Sequence, residues 1–242
     1  TEIKGAEPSP GSTPLRDDLE AVPRRAPNYQ ASPEPARTRR APHTLTVSNP
    51  RVLDDLDLGS LSKLELTLHP EDTPTRLAAG LPPPPTDACS ALDLWSLAER
   101  APGLTHLAIS GCGDRIRAGF GALAGRIRHL RISDMKIDPV LAGRIAEMPS
   151  LVELSMSRVT MENPSAISLA FGPASFSVVT FQDAPTHAMQ MLRSVSPKIK
   201  QLRLEGAWVT ADALRDLSIL HSVRTLAFVG TGITNGGLSF VQ

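Results

Sequence analysis

Six apolar motifs of one pattern recur at nearly constant spacing through the second half of this sequence. They read Leu104-x-x-Leu107-x-Ile109, Ile127-x-x-Leu130-x-Ile132, Leu151-x-x-Leu154-x-Met156, Phe176-x-x-Val179-x-Phe181, Ile199-x-x-Leu202-x-Leu204 and Val223-x-x-Leu226-x-Phe228. Their first positions follow one another every 23 to 25 residues. Such a length holds one short strand and a return segment, too little for a core of its own. Units of this kind must stack and bury their apolar residues against their neighbours. The predicted fold is therefore an α/β solenoid. Each motif supplies one strand of a parallel sheet on the concave face, and helices return over the convex face.

The rest of the chain is read around that repeat. Residues 1–42 contain Pro8, Pro10, Pro14, Pro23, Pro27, Pro33, Pro35 and Pro42 and few large apolar side chains. Such a segment cannot bury enough surface to offset its ordering entropy. A disordered Pro/Arg-rich leader is expected there, its Arg24-Arg25 and Arg37-x-Arg39-Arg40 pairs being scattered solvated charge. Residues 43–60 are expected to cap the solenoid, with Leu45 and Val47 alternating like a strand. Leu61-x-x-Leu64-x-Leu66 opens a further repeat over 61–103. The next motif begins 43 residues later, so this unit carries an insertion, marked by Pro82-Pro83-Pro84-Pro85. Ala88 to Arg100, with Leu92, Trp95 and Leu97, reads as its helix. Residues 104–242 hold the six regular repeats, the last incomplete.

Helix starts are legible between the motifs. Asp138-Pro139 and Asn163-Pro164 each place a capping side chain before a proline suited to the first helical position. Thr210, with Asp212 in the following turn, is a third N-cap. Val140-Leu141-Ile145, Ile167-Leu169-Ala170, Met189-Met191-Leu192 and Leu214-Leu217-Leu220 are the predicted inward faces. Gly119 and Gly121 predict a short or irregular helix after the first regular motif.

The period and the L-x-x-L-x-L core resemble the leucine-rich repeat of helix-bearing type, found in ribonuclease-inhibitor-like and F-box-associated proteins. Leu202-x-Leu204-x-x-x-x-Val209-Thr210-x-x-x-Leu214 resembles the F-box-associated form, as does Gly232-Ile233-Thr234-Asn235-Gly236-Gly237-Leu238. Gly121-Ala122-Leu123-Ala124 spells the tetrapeptide that names the GALA effectors of plant-pathogenic bacteria. That resemblance implies a secreted virulence effector acting in host ubiquitination. An F-box with its Leu-Pro start does not precede the repeats.

Composition narrows the function classes. The chain of 242 residues has 25 basic and 25 acidic residues and no net charge, so it offers no general basic field for nucleic acid. No uninterrupted apolar run reaches membrane-spanning length. Two cysteines supply neither a disulfide framework nor zinc-finger spacing. A reduced compartment, or secretion into a host cell, is expected. Thr1 is followed by no apolar signal core, and no polar capping repeat precedes Gln242. The natural protein is therefore expected to continue, with any catalytic domain beyond this sequence.

Alternation along each strand sends positions three, five and seven of every motif to the open face. The third-position column reads Lys63, His106, His129, Glu153, Val178, Gln201, Thr225, and the fifth reads Glu65, Ala108, Arg131, Ser155, Thr180, Arg203, Ala227. Glu205 stands in the seventh. Lys63, His106, His129, Arg131, Glu153, Arg203 and Glu205 are the candidate partner-binding residues. His106, His129 and Glu153 admit a zinc site with an open position, a pH-sensitive interface, or simply three solvated side chains. We expect no metal, no cofactor and no catalytic residue. Cys112 reads as a buried structural thiol at the ninth repeat position, and Cys89 carries no assignment. Trp208 is either a partner anchor or packing beneath a turn. The expected function is a non-enzymatic protein-interaction module binding a partner, a host protein for an effector, through its concave sheet. The alternative is the substrate-recognition arm of a ubiquitin ligase, and the third reading is a metal enzyme at the histidine pair.

Overall fold

The structure, a computed structural model, describes residues 39–40, 42–67, 93–111, 119–185, 188–210, 217 and 220–233. The leader up to residue 38, Cys89, Cys112, Leu92, Leu214, the Pro82–Pro85 stretch and the segment after Ile233 lie outside the described residues. In chain order the described strands are β1 (Arg39–Arg40), β2 (Thr44–Val47), β3 (Leu56–Asp57), β4 (Lys63–Thr67), β5 (His106–Ser110), β6 (His129–Ser133), β7 (Lys136–Ile137), β8 (Glu153–Ser157), β9 (Thr160–Met161), β10 (Val178–Gln182), β11 (Gln201–Glu205) and β12 (Thr225–Val229). Strands β2, β4, β5, β6, β8, β10, β11 and β12 form one sheet, side by side in chain order. Every neighbouring pair in it is parallel. Equivalent motif positions pair throughout, so that Leu64, Leu107, Leu130, Leu154, Val179, Leu202 and Leu226 form one row. This is a leucine-rich-repeat solenoid.

One backbone carbonyl per repeat sets that register. The residue before each strand accepts two successive N–H groups from the next repeat. Ser62 O takes Thr105 and His106 at 3.0 and 3.1 Å, Arg128 O takes Val152 and Glu153 at 2.8 and 3.0 Å, and Lys200 O takes Arg224 and Thr225 at 2.8 and 3.1 Å. A one-residue slip would expose the entire apolar row. From β4 to β11, positions four and six are never more than 2% exposed. Leu226 and Phe228 on β12 are only half-buried, because that strand has a described neighbour on one side alone.

The return segments differ in regularity for visible reasons. Helices α1 (Leu94–Arg100), α3 (Pro139–Ala146) and α4 (Pro164–Ala170) start at Asp93, Asp138 and Asn163, whose side chains accept backbone N–H groups. The Asp138 carboxylate reaches Leu141 N at 2.8 Å. Between α1 and α3, α2 (Phe120–Leu123) has four residues only. Gly119 before it meets the Leu94 side chain so closely that any Cβ there would clash. Residues Ala188–Leu192 form a 3-10 helix rather than an α-helix. Its buried pairs, Ala188 with Met191 and Met189 with Leu192, recur every three residues, the period of that helix. Two expected inward residues point outward: Val140 and Leu169 are 57% and 76% exposed, and Trp95 on α1 is 60% exposed as well. At the amino-terminal side, β1 pairs with β3, two residues before the leader boundary expected at residue 42.

Two features tie neighbouring repeats together. Before four of the motifs the preceding residue reaches back one repeat: Arg126 to Ala98 O, Ser150 to Gly125 O at 2.9 Å, Ser175 to Met148 O at 3.2 Å and Lys198 to Ala174 O at 2.6 Å. These bonds pair carbonyls within or shortly after the helices of the preceding return segments. The residue after each strand, in turn, has a positive φ in six successive repeats: Gly111, Asp134, Arg158, Asp183, Gly206 and Gly230. Gly, Asp and Asn tolerate that conformation, whereas an arginine there costs of order 1 kcal/mol. Arg158 is held by a two-pronged ion pair, Nε and one terminal nitrogen each donating to Asp134 at 2.7 Å. The bond to Asp134 raises the Arg158 pKa above its ordinary value.

Truncating the central row tests this packing. Leu202→Ala is expected to cost roughly 2–5 kcal/mol, the range for buried leucines. Leu226→Ala should cost distinctly less in the same denaturant titration. Equal losses would show β12 to be as fully covered as β11.

Candidate functional site

The open face of the sheet is built by alternation alone. Because positions four and six point inward, positions three, five and seven must line the other side, and the register stacks them into columns. Lys63, His106, His129 and Glu153 are consecutive neighbours in the third-position column. In the fifth, Ala108 stands between Glu65 and Arg131. Its single methyl leaves a gap among long side chains. The result is a hollow of about 420 Å³, floored by Leu107, Ala108 and Leu130 and ringed by Lys63, Glu65, His106, His129, Arg131 and Glu153.

The ring is ordered by contacts across strands. The His106 and His129 rings stack face to face, with centroids 4.1 Å apart and planes 5° from parallel. His129 Nδ1 donates to Glu153 Oε2 at 3.0 Å. His106 Nδ1 lies 2.9 Å from Thr105 Oγ1. Both Nδ1 atoms are therefore engaged, and the Nε2 edges have no protein partner among the described residues. Arg131 donates to Gln182 Oε1 at 3.3 Å, across two strands. Lys63 and Glu65 make no ion pair among the described residues.

This geometry bears on the zinc option. Imidazole lone pairs lie in the ring plane, so two stacked parallel rings aim theirs side by side rather than at one tetrahedral centre. Among the described residues no group of three or more His, Cys, Asp or Glu side chains is placed to hold a metal ion.

His106 has a pKa below its ordinary value of 6.5. Burial of the ring is the largest cause, followed by the charges of His129 and Lys63, with Glu153 opposing them. The folded state thus favours neutral His106. Its contribution to stability is complete above the unfolded value and is lost as pH falls through the lowered folded value. In an NMR titration of the ring protons, Lys63→Ala should raise the His106 midpoint and Glu153→Gln should lower it further. An unmoved midpoint in Lys63→Ala would remove Lys63 from the electrostatics of the hollow.

The remaining candidates lie elsewhere. Arg203 and Glu205 sit on β11, three strands beyond β6, and pair with each other at 3.4 Å. Trp208 is half-buried, its ring edge-on to Phe181 at 6.1 Å and its indole N–H donating to Glu205 O at 2.7 Å. That is packing beneath a turn. Gln182 and Ser155 were not among the residues expected at the site, though both stand in the outward columns.

No known family model matches the chain. No curated protein matches it. Among solved structures it is similar to an internalin from Listeria monocytogenes, at 11% identity and a TM-score of 0.35 over 78% of this chain. The chain spans 59% of that protein's length. A likeness so slight carries no information on activity or partner. Among the described residues, no helix is long and apolar enough to cross a membrane.

Proposed function

We propose that the chain is a non-enzymatic protein-interaction module whose docking surface is the concave sheet around the hollow. The observation that carries this reading is the open, in-register face itself. Seven strands present columns of mostly polar and small side chains on the face opposite the buried row, with a recess where Ala108 stands among long side chains. Stacked repeats expose such a surface by construction, and macromolecular partners use it. Lys63, His106, His129, Arg131 and Glu153 form its centre, with Arg203 and Glu205 toward one end.

Within this reading, the partner is a host protein and the chain is the repeat region of a secreted bacterial effector. The Gly121-Ala122-Leu123-Ala124 tetrapeptide and the Pro/Arg-rich leader support that narrower form. In the structure Gly121, Ala122 and Leu123 lie on α2 and Ala124 caps it, with the fully buried Leu123 packed into the core. The substrate-recognition arm of a ubiquitin ligase is the second reading, drawn from the same tetrapeptide and from the Val209-Thr210 pattern.

Charge reversal separates the two faces. The double variant Arg131→Glu, Glu153→Arg should lose at least about tenfold in partner affinity, a difference of about 1.4 kcal/mol. Its unfolding free energy should stay within about 0.5 kcal/mol of the parent, as for most surface changes. Arg144, on α3 of the convex face and paired with Glu147 at 3.1 Å, is the control. If Arg144→Glu abolished binding while the concave double variant bound normally, the functional surface would be the outer one.

A further inference from the structure

A second surface lies along the edge of the main sheet where its strands begin. The residue before each strand is the one whose carbonyl takes two N–H groups from the next repeat, so its backbone is pinned. Equivalent side chains then stand in a row, about 4.8 Å apart. From β6 to β12 that row reads Arg128, Val152, Ser177, Lys200 and Arg224, and all but Ser177 are exposed. Charge along it is uneven. Neither Lys200 nor Arg224 pairs with an acid among the described residues. Lys198, two residues before Lys200, donates to the Ala174 carbonyl, which leaves its charge in place. The described residues of 188–204 and 220–233 include no Asp or Glu. Glu205 follows at the far end of β11, where Arg203 engages it. Asp212 and Asp216 lie outside the described residues. Toward β6 the charges even out, because Glu153, whose N–H meets the Arg128 carbonyl, stands beside Arg128. Between these two ends Val152 presents an apolar side chain, 40% exposed.

We propose that this edge seats an extended acidic segment of a partner protein, with two acidic side chains over Lys200 and Arg224 and an apolar one over Val152. The seat is separate from the hollow, whose bases Lys63 and Arg131 stand on β4 and β6. From Val152 to Lys200 is two strand steps, about 10 Å, the reach of about three extended residues. From Lys200 to Arg224 is one step, about 5 Å, or one to two residues. The expected order is therefore an apolar residue, an acid about three residues on, and a second acid just beyond. Glu153 beside Val152 repels the reverse order. A nucleic acid fits the row less well. Its backbone carries charge at every step, whereas Val152 and Ser177 carry none, and the row holds no aromatic side chain on which bases could stack. Because the register bonds already fix the row's backbone, binding orders only side chains on this side.

A phage-displayed library of random peptides, selected on the whole chain, tests the proposal. Clones are scored for loss of binding to the double variant Lys200→Gln, Arg224→Gln. Lys200→Gln alone serves should the double variant fail to fold. Clones lost on these variants are expected to be enriched in Asp and Glu, in the stated order behind an apolar residue. Losing two exposed charge contacts should weaken them roughly tenfold. They should also weaken between about 0.1 M and about 1 M salt, as the screening length falls from about 10 Å to about 3 Å. Val152→Ser should lower their affinity and leave its salt dependence unchanged. Arg144→Gln, which removes a charge from α3 on the convex face, should leave them bound as before. Edge-dependent clones without acidic enrichment, or with affinity indifferent to salt, would overturn the proposal. So would a library that yields no edge-dependent clone. A thymidine oligonucleotide that bound this edge more tightly than every selected peptide would overturn it in favour of nucleic acid.

Discussion

The constraint on which everything else depends is that no repeat here can bury its own apolar row. A unit of 23 to 25 residues contributes one strand to the main sheet and one short return, so its apolar row needs a neighbouring strand on each side. Burial is therefore lateral. The paired N–H groups on a single carbonyl of each preceding repeat fix where the next strand starts. Once that register holds, the inward row closes and the outward columns align without further specification. The candidate site is a by-product of that alignment. Two histidines that are far apart in sequence stack at 4.1 Å because each is third in its motif.

The sheet was legible because its signal is periodic and is imposed by the core. Positions four and six could be read from leucine spacing, and the pairing of His106 with His129 followed from counting. The return segments were harder. The α3 and α4 starts were visible in Asp138-Pro139 and Asn163-Pro164, since capping is a local interaction. The inward faces were not: Val140 and Leu169 are apolar yet face outward, because facing depends on how each helix lies on the sheet. The 3-10 geometry at Ala188–Leu192 shows the same dependence on packing.

At the site, the sequence placed Lys63, His106, His129, Arg131 and Glu153 on one face. It did not reveal that a methyl group at Ala108 would open a recess among them. A cavity is a property of what is missing between side chains, and only relative heights across strands define it. The long reach from Arg131 to Gln182 was hidden for a similar reason, since a side chain can bridge two strands diagonally as well as pair with its direct neighbour.

Six successive repeats leave the sheet through a residue of the same left-handed conformation. Among the described return segments, the α-helical ones after Asp134 and Arg158 and the 3-10 one after Asp183 follow the same kind of exit. A shared exit conformation lets strands of one length precede return segments of different kinds. A duplication or deletion cut at these exits would deliver the chain to the next strand with its orientation preserved. Variation in return-segment length, as between α2 with four residues and α3 with eight, is what such interchangeability permits. The outer layer is free to drift in length and character while the inner surface keeps its alignment.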